Sequence, residues 1–390
     1  MSFAQPRHHA CRISDEWMFR GMRTLIIENE LLRVTVLLDR GSDIVEFRYK
    51  PLDLDFLHFG PHGLRNPAAE TPSSFTDSPY LDVFNGGWNE ILPNGGPPVV
   101  YKGASLGQHG EISLIPWRCA VLEDTPDRVS AKLWVRPLRT PFFLEKTLSM
   151  ERGKAALFIN ERLTNEGGEP LSLMWGHHIA FGRPFLDEGA VIDMPARRFL
   201  VHEAMDGYEP RRFAPESEGV WPHVPATDGG EADASVIPSY GETQAQEMAY
   251  ATDFEDGWYA VTNPVKQAGF GIRFDPAVFR YVWYWQQLGD VARGYPWWGR
   301  THVAALEPWT SYPTTGLNDA VANGTALTLS PGEVVETSLC AVAFTGNQRV
   351  QGISAAGEIK RSAQRRIERG FSRIKRIFQK NPPESAPFYP

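Results

Sequence analysis

Cysteine is scarce in this chain: Cys11, Cys119 and Cys340 are the only three, and no two stand in C-x-x-C spacing. That pattern excludes a disulfide scaffold and a zinc ribbon, and it fits a reducing compartment, so a cytoplasmic location is expected. Long apolar runs are missing too. No stretch approaches the roughly 18 residues a membrane-spanning helix needs. The N-terminal segment MSFAQPRHHACRISDEWMF has no apolar stretch of the secretory kind, so no signal peptide is expected. A positive charge balance is absent: 39 Lys and Arg stand against 47 Asp and Glu, a net −8. A globally basic nucleic-acid binder is therefore excluded. No repeat near 40 residues occurs, which disfavours propellers and solenoids. No G-x-S-x-G elbow occurs, which removes the support for a serine hydrolase.

What remains is rich in turns and rings. Among 390 residues there are 35 Gly and 31 Pro, and 12% of the chain is aromatic. Spread through aromatic sequence, that reads as many turns between strands. Residues 31–38 alternate Leu32, Val34 and Val36 with Arg33 and Thr35, and 44–49 completes a hairpin. Further strands are expected at 112–122, 128–137, 142–150, 156–164, 171–179, 257–262, 269–274, 279–286, 301–306, 326–330 and 336–344. Residues 60–80 and 85–98 read as loops of the binding type. Residues 183–245, rich in Pro, Gly and acidic groups, read as an extended excursion. Helical periodicity is almost absent before residue 350. From Ile359 to Phe378, apolar residues recur at three- and four-residue steps among basic ones, which predicts an amphipathic basic helix. Residues 358–380 carry nine Lys and Arg against two Glu. The expectation is an all-β chain: a lead-in over 1–20, one large antiparallel β-sandwich over 21–348, and a basic helical tail over 349–390.

Three places put titratable groups at strand ends: His109-Gly110 after a Gly-rich loop, His177-His178 in GHHIAFG, and Glu307 in LEP. A carboxylate closing an apolar run has its pKa raised toward a useful base range, and a facing histidine is a natural partner acid. Consecutive strand residues point to opposite faces, so only one of His177 and His178 can enter a given site. The bland alternative has Glu307 capping its strand beside Arg300. A metal reading also stands, with His109, His178 and Glu307 as ligands and His302 as a fourth. Tyr281, Trp283 and Trp285 alternate along one strand; they either fill a core or stack a sugar ring.

The order of these segments resembles the galactose mutarotase-like superfamily, the aldose 1-epimerases and their relatives. His178-Ile179-Ala180-Phe181-Gly182 matches that family's general-acid segment, Leu306-Glu307-Pro308 its general-base segment, and His109-Gly110 its substrate-contacting H-G segment. Residues 318–323, NDAVAN, resemble the stretch downstream of the base. The loop around Trp88, Asn89 and Asn94 resembles a G-G-x-P-x-x-P loop of more distant relatives. The resemblance covers roughly residues 30 to 345. It departs where the family's substrate arginine should precede H-G: that loop has Asn85, Asn89 and Asn94 but no arginine, leaving Arg40 and Arg65 as candidates. The family's substrate aspartate falls on Asp253 or Asp256 only by weak match.

The resemblance implies a cofactor-independent carbohydrate epimerase that interconverts sugar anomers, with His178 as acid and Glu307 as base. His109, Arg40, Trp88, Asn89, Trp285 and Asp253 would contact the sugar. No metal and no cofactor are implied. The charge attraction between a protonated His178 and an ionised Glu307 is expected to favour both. The alternatives are a non-catalytic carbohydrate-binding protein on the same fold and a metal-assisted sugar isomerase. The expected partner is a small-molecule carbohydrate; the basic segment 358–380 could also meet an anionic membrane or an acidic protein. The sequence leaves the oligomeric state open.

Overall fold

A computed structural model describes residues 7–69 and 78–366. Two large antiparallel sheets, of 13 and nine strands, pack face to face. Between them lies one continuous apolar core that includes Leu25, Val34, Phe47, Leu144, Ile159, Ile179, Phe270 and Tyr284. The expectation of a large antiparallel β-sandwich is met. The reason is the period-two pattern: one set of side chains from each strand enters this core and the alternate set faces away.

The middle of the larger sheet carries the site. Its strands run in the spatial order Trp88–Ile91, Gly176–Phe181, Val303–Trp309, Tyr281–Leu288, Ala245–Phe254 and Ala196–Val201. Next to Trp88–Ile91, on the other side, come Asp43–Tyr49, Leu32–Leu37 and Met22–Glu28. The second sheet is built around Phe142–Glu151, Ala156–Asn165 and Val334–Thr345.

Several sequence expectations need correction. Residues 85–98 are not all loop, since Trp88–Ile91 is a strand buried on both faces. Its polar residues Asn89 and Glu90 hide the pattern because their partners come from elsewhere in the chain. The 183–245 excursion contributes Ala190–Asp193 to the smaller sheet and Ala196–Val201 to the larger one. These strands are short, and the neighbours that tie them into the two sheets, Trp258–Asn263 and Ala245–Phe254, come some 50–70 residues later. The expected strand 171–179 breaks at Met174-Trp175. Leu171–Leu173 pairs with Leu327–Leu329, while Gly176–Phe181 joins the main sheet. The strand expected from 112 begins at Arg118.

The expected helix fails where it can be checked. Ile359–Arg366 is a strand paired with Gln348–Ile353. Gly357, at φ 80°, reverses the chain just before it and presents a ready cross-strand partner. This hairpin lies over a small apolar cluster that includes Trp258, Cys340 and Phe344, with Ile359 against it. The rest of the expected helix lies outside the described residues.

Candidate active site

One cross-strand row gathers the chemistry. The register pairs His178 with Asn89, Trp283 with Glu307, and Tyr250 with Trp283. Gly176 opposite Trp309 and Ala180 opposite Ala305 set His178 opposite Glu307. Asn89, His178, Glu307, Trp283 and Tyr250 therefore form one line across five strands. All point away from the inter-sheet core, on the face where Ile91, Ala180, Ala305 and Trp309 cluster with the rings.

At the centre, His178 Nε2 stands 3.5 Å from Glu307 Oε1. Both side chains are buried. Glu307 Oε2 accepts a hydrogen bond from the Trp309 indole Nε1 at 2.9 Å. Trp309 reaches that position because residue 176 is glycine: a Cβ there would come within 2.2 Å of the indole. His178 Nδ1 is buried and has no hydrogen-bond partner among the described residues.

Burial sets the protonation. It pushes the Glu307 carboxyl up to about 8, only partly opposed by the Trp309 hydrogen bond. Burial, with His109 adding to it, pulls the His178 imidazole down to about 3. Between those limits the pair holds a single proton, and in the free site it rests on the carboxyl. The cost of desolvating two charges in an aromatic pocket exceeds their attraction, so the resting pair is neutral.

His109 overlooks the pair. Its ring centroid lies 5.8 Å from that of His178 and 4.7 Å, edge-on, from Tyr80. Its Nδ1 accepts the Gly96 N–H at 3.1 Å. The ring is neutral, since burial lowers its pKa to about 4. The proton is therefore on Nε2, a donor free to meet a ligand. His109 itself has φ 55°, and Gly110 follows at φ 68°, where a Cβ would meet the Leu92 carbonyl at 2.2 Å. That turn explains why glycine follows the histidine.

The walls are aromatic. Trp283 and Trp309 stack 4.0 Å apart at an interplanar angle of 14°. Trp285 lies 5.6 Å from the His178 ring and donates its N–H to the Tyr208 hydroxyl at 3.1 Å. Phe84 approaches His178 at 5.3 Å, and Trp297 approaches Trp285 at 5.5 Å. Tyr80 donates to Asn89 Oδ1 at 3.0 Å.

The structure brings His178, Glu307, His109, Asn89 and Trp285 together. Arg40 lies beside them but turns its donors inward. Its Nε bonds Asp43 Oδ2 at 3.0 Å, one terminal nitrogen meets the Val83 carbonyl at 3.3 Å, and the other meets Asn85 Oδ1. Burial lifts Asp43 to about 6 against the pull of Arg40 and Asn89. Arg40 thus bears on the site through Asp43 and Asn89. Arg65 donates to the Asp82 carbonyl.

Two expected substrate residues are elsewhere. Trp88 points into the inter-sheet core and donates to His177 Nδ1 at 3.0 Å, because it is one residue out of phase with Asn89. Asp253 is exposed at φ 59°, past the last register pair of its strand with the Trp285 strand. His302, expected as a fourth metal ligand, packs on Tyr240 and accepts the Gly289 N–H.

Sequence reasoning missed Trp309, Tyr80, Phe84 and Tyr208; Trp297, which follows the aromatic strand, belongs to the ring cluster read as a possible sugar platform. Trp309 was findable, since it lies two residues beyond Glu307 on the same face of the strand. Tyr80, the last residue of the expected 60–80 loop, comes from the short helix Pro79–Val83, and Phe84 follows it between the two expected loops. Tyr208 lies in a segment with no periodicity.

Among the described residues, one group of three ligand-type side chains has its atoms within 4.8 Å of one another: Glu90, Glu161 and His177, on the core face. They do not fit a metal. The Lys146 ammonium, 2.8 Å from Glu90, already supplies the cation. Trp88 donates to His177 Nδ1, so the ring's proton is on Nε2, facing Glu161 at 3.1 Å.

The sandwich has the fold seen in solved structures of galactose mutarotase-like proteins. A candidate aldose 1-epimerase from Klebsiella pneumoniae superposes with a TM-score of 0.64 at 18% identity, over 86% of this chain and 83% of that one. A galactose mutarotase-like protein from Clostridium acetobutylicum gives 0.57 at 13% identity, over 86% and 99%. A galactose mutarotase related enzyme from Lactobacillus acidophilus gives 0.54 at 16% identity, over 83% and 98%. Residues 19–341 match the family described as Domain of unknown function (DUF4432), and the chain belongs to that family. No curated protein matches it. Among the described residues, no helix is long and apolar enough to cross a membrane.

Proposed function

We propose that this protein is a cofactor-independent carbohydrate epimerase of the aldose 1-epimerase type, exchanging sugar anomers by acid–base ring opening. The observation that carries the reading is the buried His178–Glu307 pair, 3.5 Å apart. Anomer exchange needs a group to take the proton from the C1 hydroxyl and a group to protonate the ring oxygen. Both oxygens are bonded to C1, so donor and acceptor must be neighbours. The C1–ring-oxygen bond breaks as the C1–hydroxyl bond becomes a carbonyl. Rotation about C1–C2 and reclosure on the other face give the second anomer and return the protons.

The resemblance assigns base to Glu307 and acid to His178. A sugar hydroxyl donating to Glu307 stabilises the carboxylate, which moves the shared proton onto His178. The His109 Nε2–H would orient a further hydroxyl, and the Trp285, Trp297 and Phe84 rings would cover the apolar face of the sugar. The neighbours named as epimerases and mutarotases support the same chemistry.

The test is magnetisation-transfer NMR between α and β anomer signals over a panel of aldoses, uronates and deoxy sugars. Glu307→Gln is expected to reduce exchange by at least about a hundredfold, the usual worth of a general base. An unchanged rate in that variant would remove the assignment.

A further inference from the structure

Beyond Tyr250, at the far end of the catalytic row, the same sheet face opens into a second groove of about 620 Å³. It lies between the end of the strand Ala196–Val201, the segment 216–218 and the Tyr312–Thr315 loop with the helix Leu317–Ala322 behind it. Its lining includes His202, Glu203, Glu216, Tyr312, Thr315 and Asp319.

His202 is 6% exposed. Its Nδ1 is 3.0 Å from the Tyr250 hydroxyl, and that hydroxyl accepts the Thr314 N–H at 2.9 Å. The arrangement that satisfies most groups has Tyr250 donating to Nδ1, which puts the imidazole proton on Nε2. Among the described residues Nε2 is buried without a hydrogen-bond partner, and so is the Thr315 hydroxyl. A lone buried N–H is costly, and it is an invitation to an acceptor.

Around it stand carboxylates. Arg198 takes both oxygens of Glu218. Glu203, Glu216 and Asp319 have no ion-pair partner among the described residues. Three free carboxylates repel an anionic acceptor, and a protonated Nε2 cannot ligate a metal. A hydroxyl meets both demands, accepting from His202 and donating to a carboxylate. Several hydroxyls on one apolar scaffold would also use the half-buried Tyr312 ring.

We infer that this groove is a second saccharide-binding site, separate from the His178–Glu307 pocket and taking an uncharged polyhydroxylated ring through His202, Thr315 and the free carboxylates of Glu203 and Asp319. It goes beyond the epimerase reading and does not depend on turnover. A sugar that moves His178 without any anomer exchange would sink that reading and leave this one standing.

The experiment uses the full chain labelled with ¹⁵N and ¹³C at histidine, titrated separately with D-glucose, D-galactose and D-xylose. His202 is assigned by His202→Gln, and binding is also read in Glu203→Ala and Asp319→Ala, whose exposed side chains leave the fold intact. At least one sugar is expected to shift the His202 ring signals saturably, with a midpoint distinct from that of His178. The exposed-carboxylate variants are expected to weaken that midpoint about tenfold and to leave the His178 midpoint alone. Two results would overturn the proposal. One is no His202 shift with any of the three sugars. The other is a His202 shift that tracks His178 with one midpoint and ignores both variants, which would make it an echo of binding in the catalytic pocket.

Discussion

Trp309 holds Glu307 from two residues along its own strand: the indole Nε1 donates to Oε2 at 2.9 Å, which leaves Oε1 to face His178. The hydrogen bond does two things. It fixes the carboxyl rotamer, and it is the one contact that lowers the carboxyl pKa against burial. Trp309→Phe keeps the stack on Trp283 and removes only the donor. The variant is expected to lose about tenfold or more in kcat/KM, the worth of one hydrogen bond to a charged group. Its basic limb should move to higher pH. A pH–rate profile of wild type and variant checks both; loss of rate with no shift of the limb would mean that the indole only packs.

The pH dependence follows from the shared proton. Glu307 is raised from its ordinary 4.5 to about 8 and His178 is lowered to about 3, so the free pair carries one proton between those values. Above about 8 the pair is empty and has no acid. Activity in kcat/KM is therefore expected to be level through the neutral range and to fall as pH rises through about 8. The same shift has a sign for stability. A carboxyl whose folded pKa is raised binds its proton more tightly in the folded state, so its contribution is full below 4.5 and is lost as pH climbs toward 8. Glu307→Gln, always neutral, should gain stability over wild type as pH rises. The gain should be on the order of 4 kcal/mol at most near pH 9, read from urea unfolding at a series of pH values.

How much of this was legible in the sequence depends on period two. Glu307 ends a run of apolar residues and His178 opens the apolar stretch Ile179–Phe181, and alternation puts them on one face once the strands are placed. Strand alternation also said that His177 and His178 must part, and the structure sends His177 into the core. It could not say which of two polar neighbours faces the site when both faces are buried. Asn89 and Trp88 differ by one residue, and Trp88 looks more like a sugar platform, yet it is the one that points away. Arg40 was readable as an arginine near the site but not as one already engaged by Asp43 and Asn85, since that engagement comes from tertiary packing. The helical reading of 359–366 failed for a related reason: an apolar spacing of three and four was overridden by a turn at Gly357 and a waiting partner strand.

Beneath the row, on its core face, Lys146 and Glu90 form an ion pair with both side chains at most 5% exposed. The Trp175 indole completes the pairing of Glu90, and His177 bridges to Glu161 beside it. Burial alone would push Glu90 up, yet Lys146, His177 and Trp175 hold it below the ordinary carboxylate value, while Glu161, unaided by a lysine of its own, is raised by burial and by Glu90. Glu90 and His177 are the immediate chain neighbours of Asn89 and His178, so this network clamps the two strands that present the site. Lys146→Met removes the ammonium and leaves the buried Glu90 with only His177 and the Trp175 indole to oppose burial. The expected cost is about 3–5 kcal/mol of unfolding free energy. Lys146→Met with Glu90→Gln, which removes both charges, should recover most of it, because desolvation of the ion pair offsets much of its attraction. Chemical denaturation of the single and double variants decides the point. If the double variant is no more stable than the single one, the loss came from packing at residue 146, and the buried charge pair would not be what secures these strands.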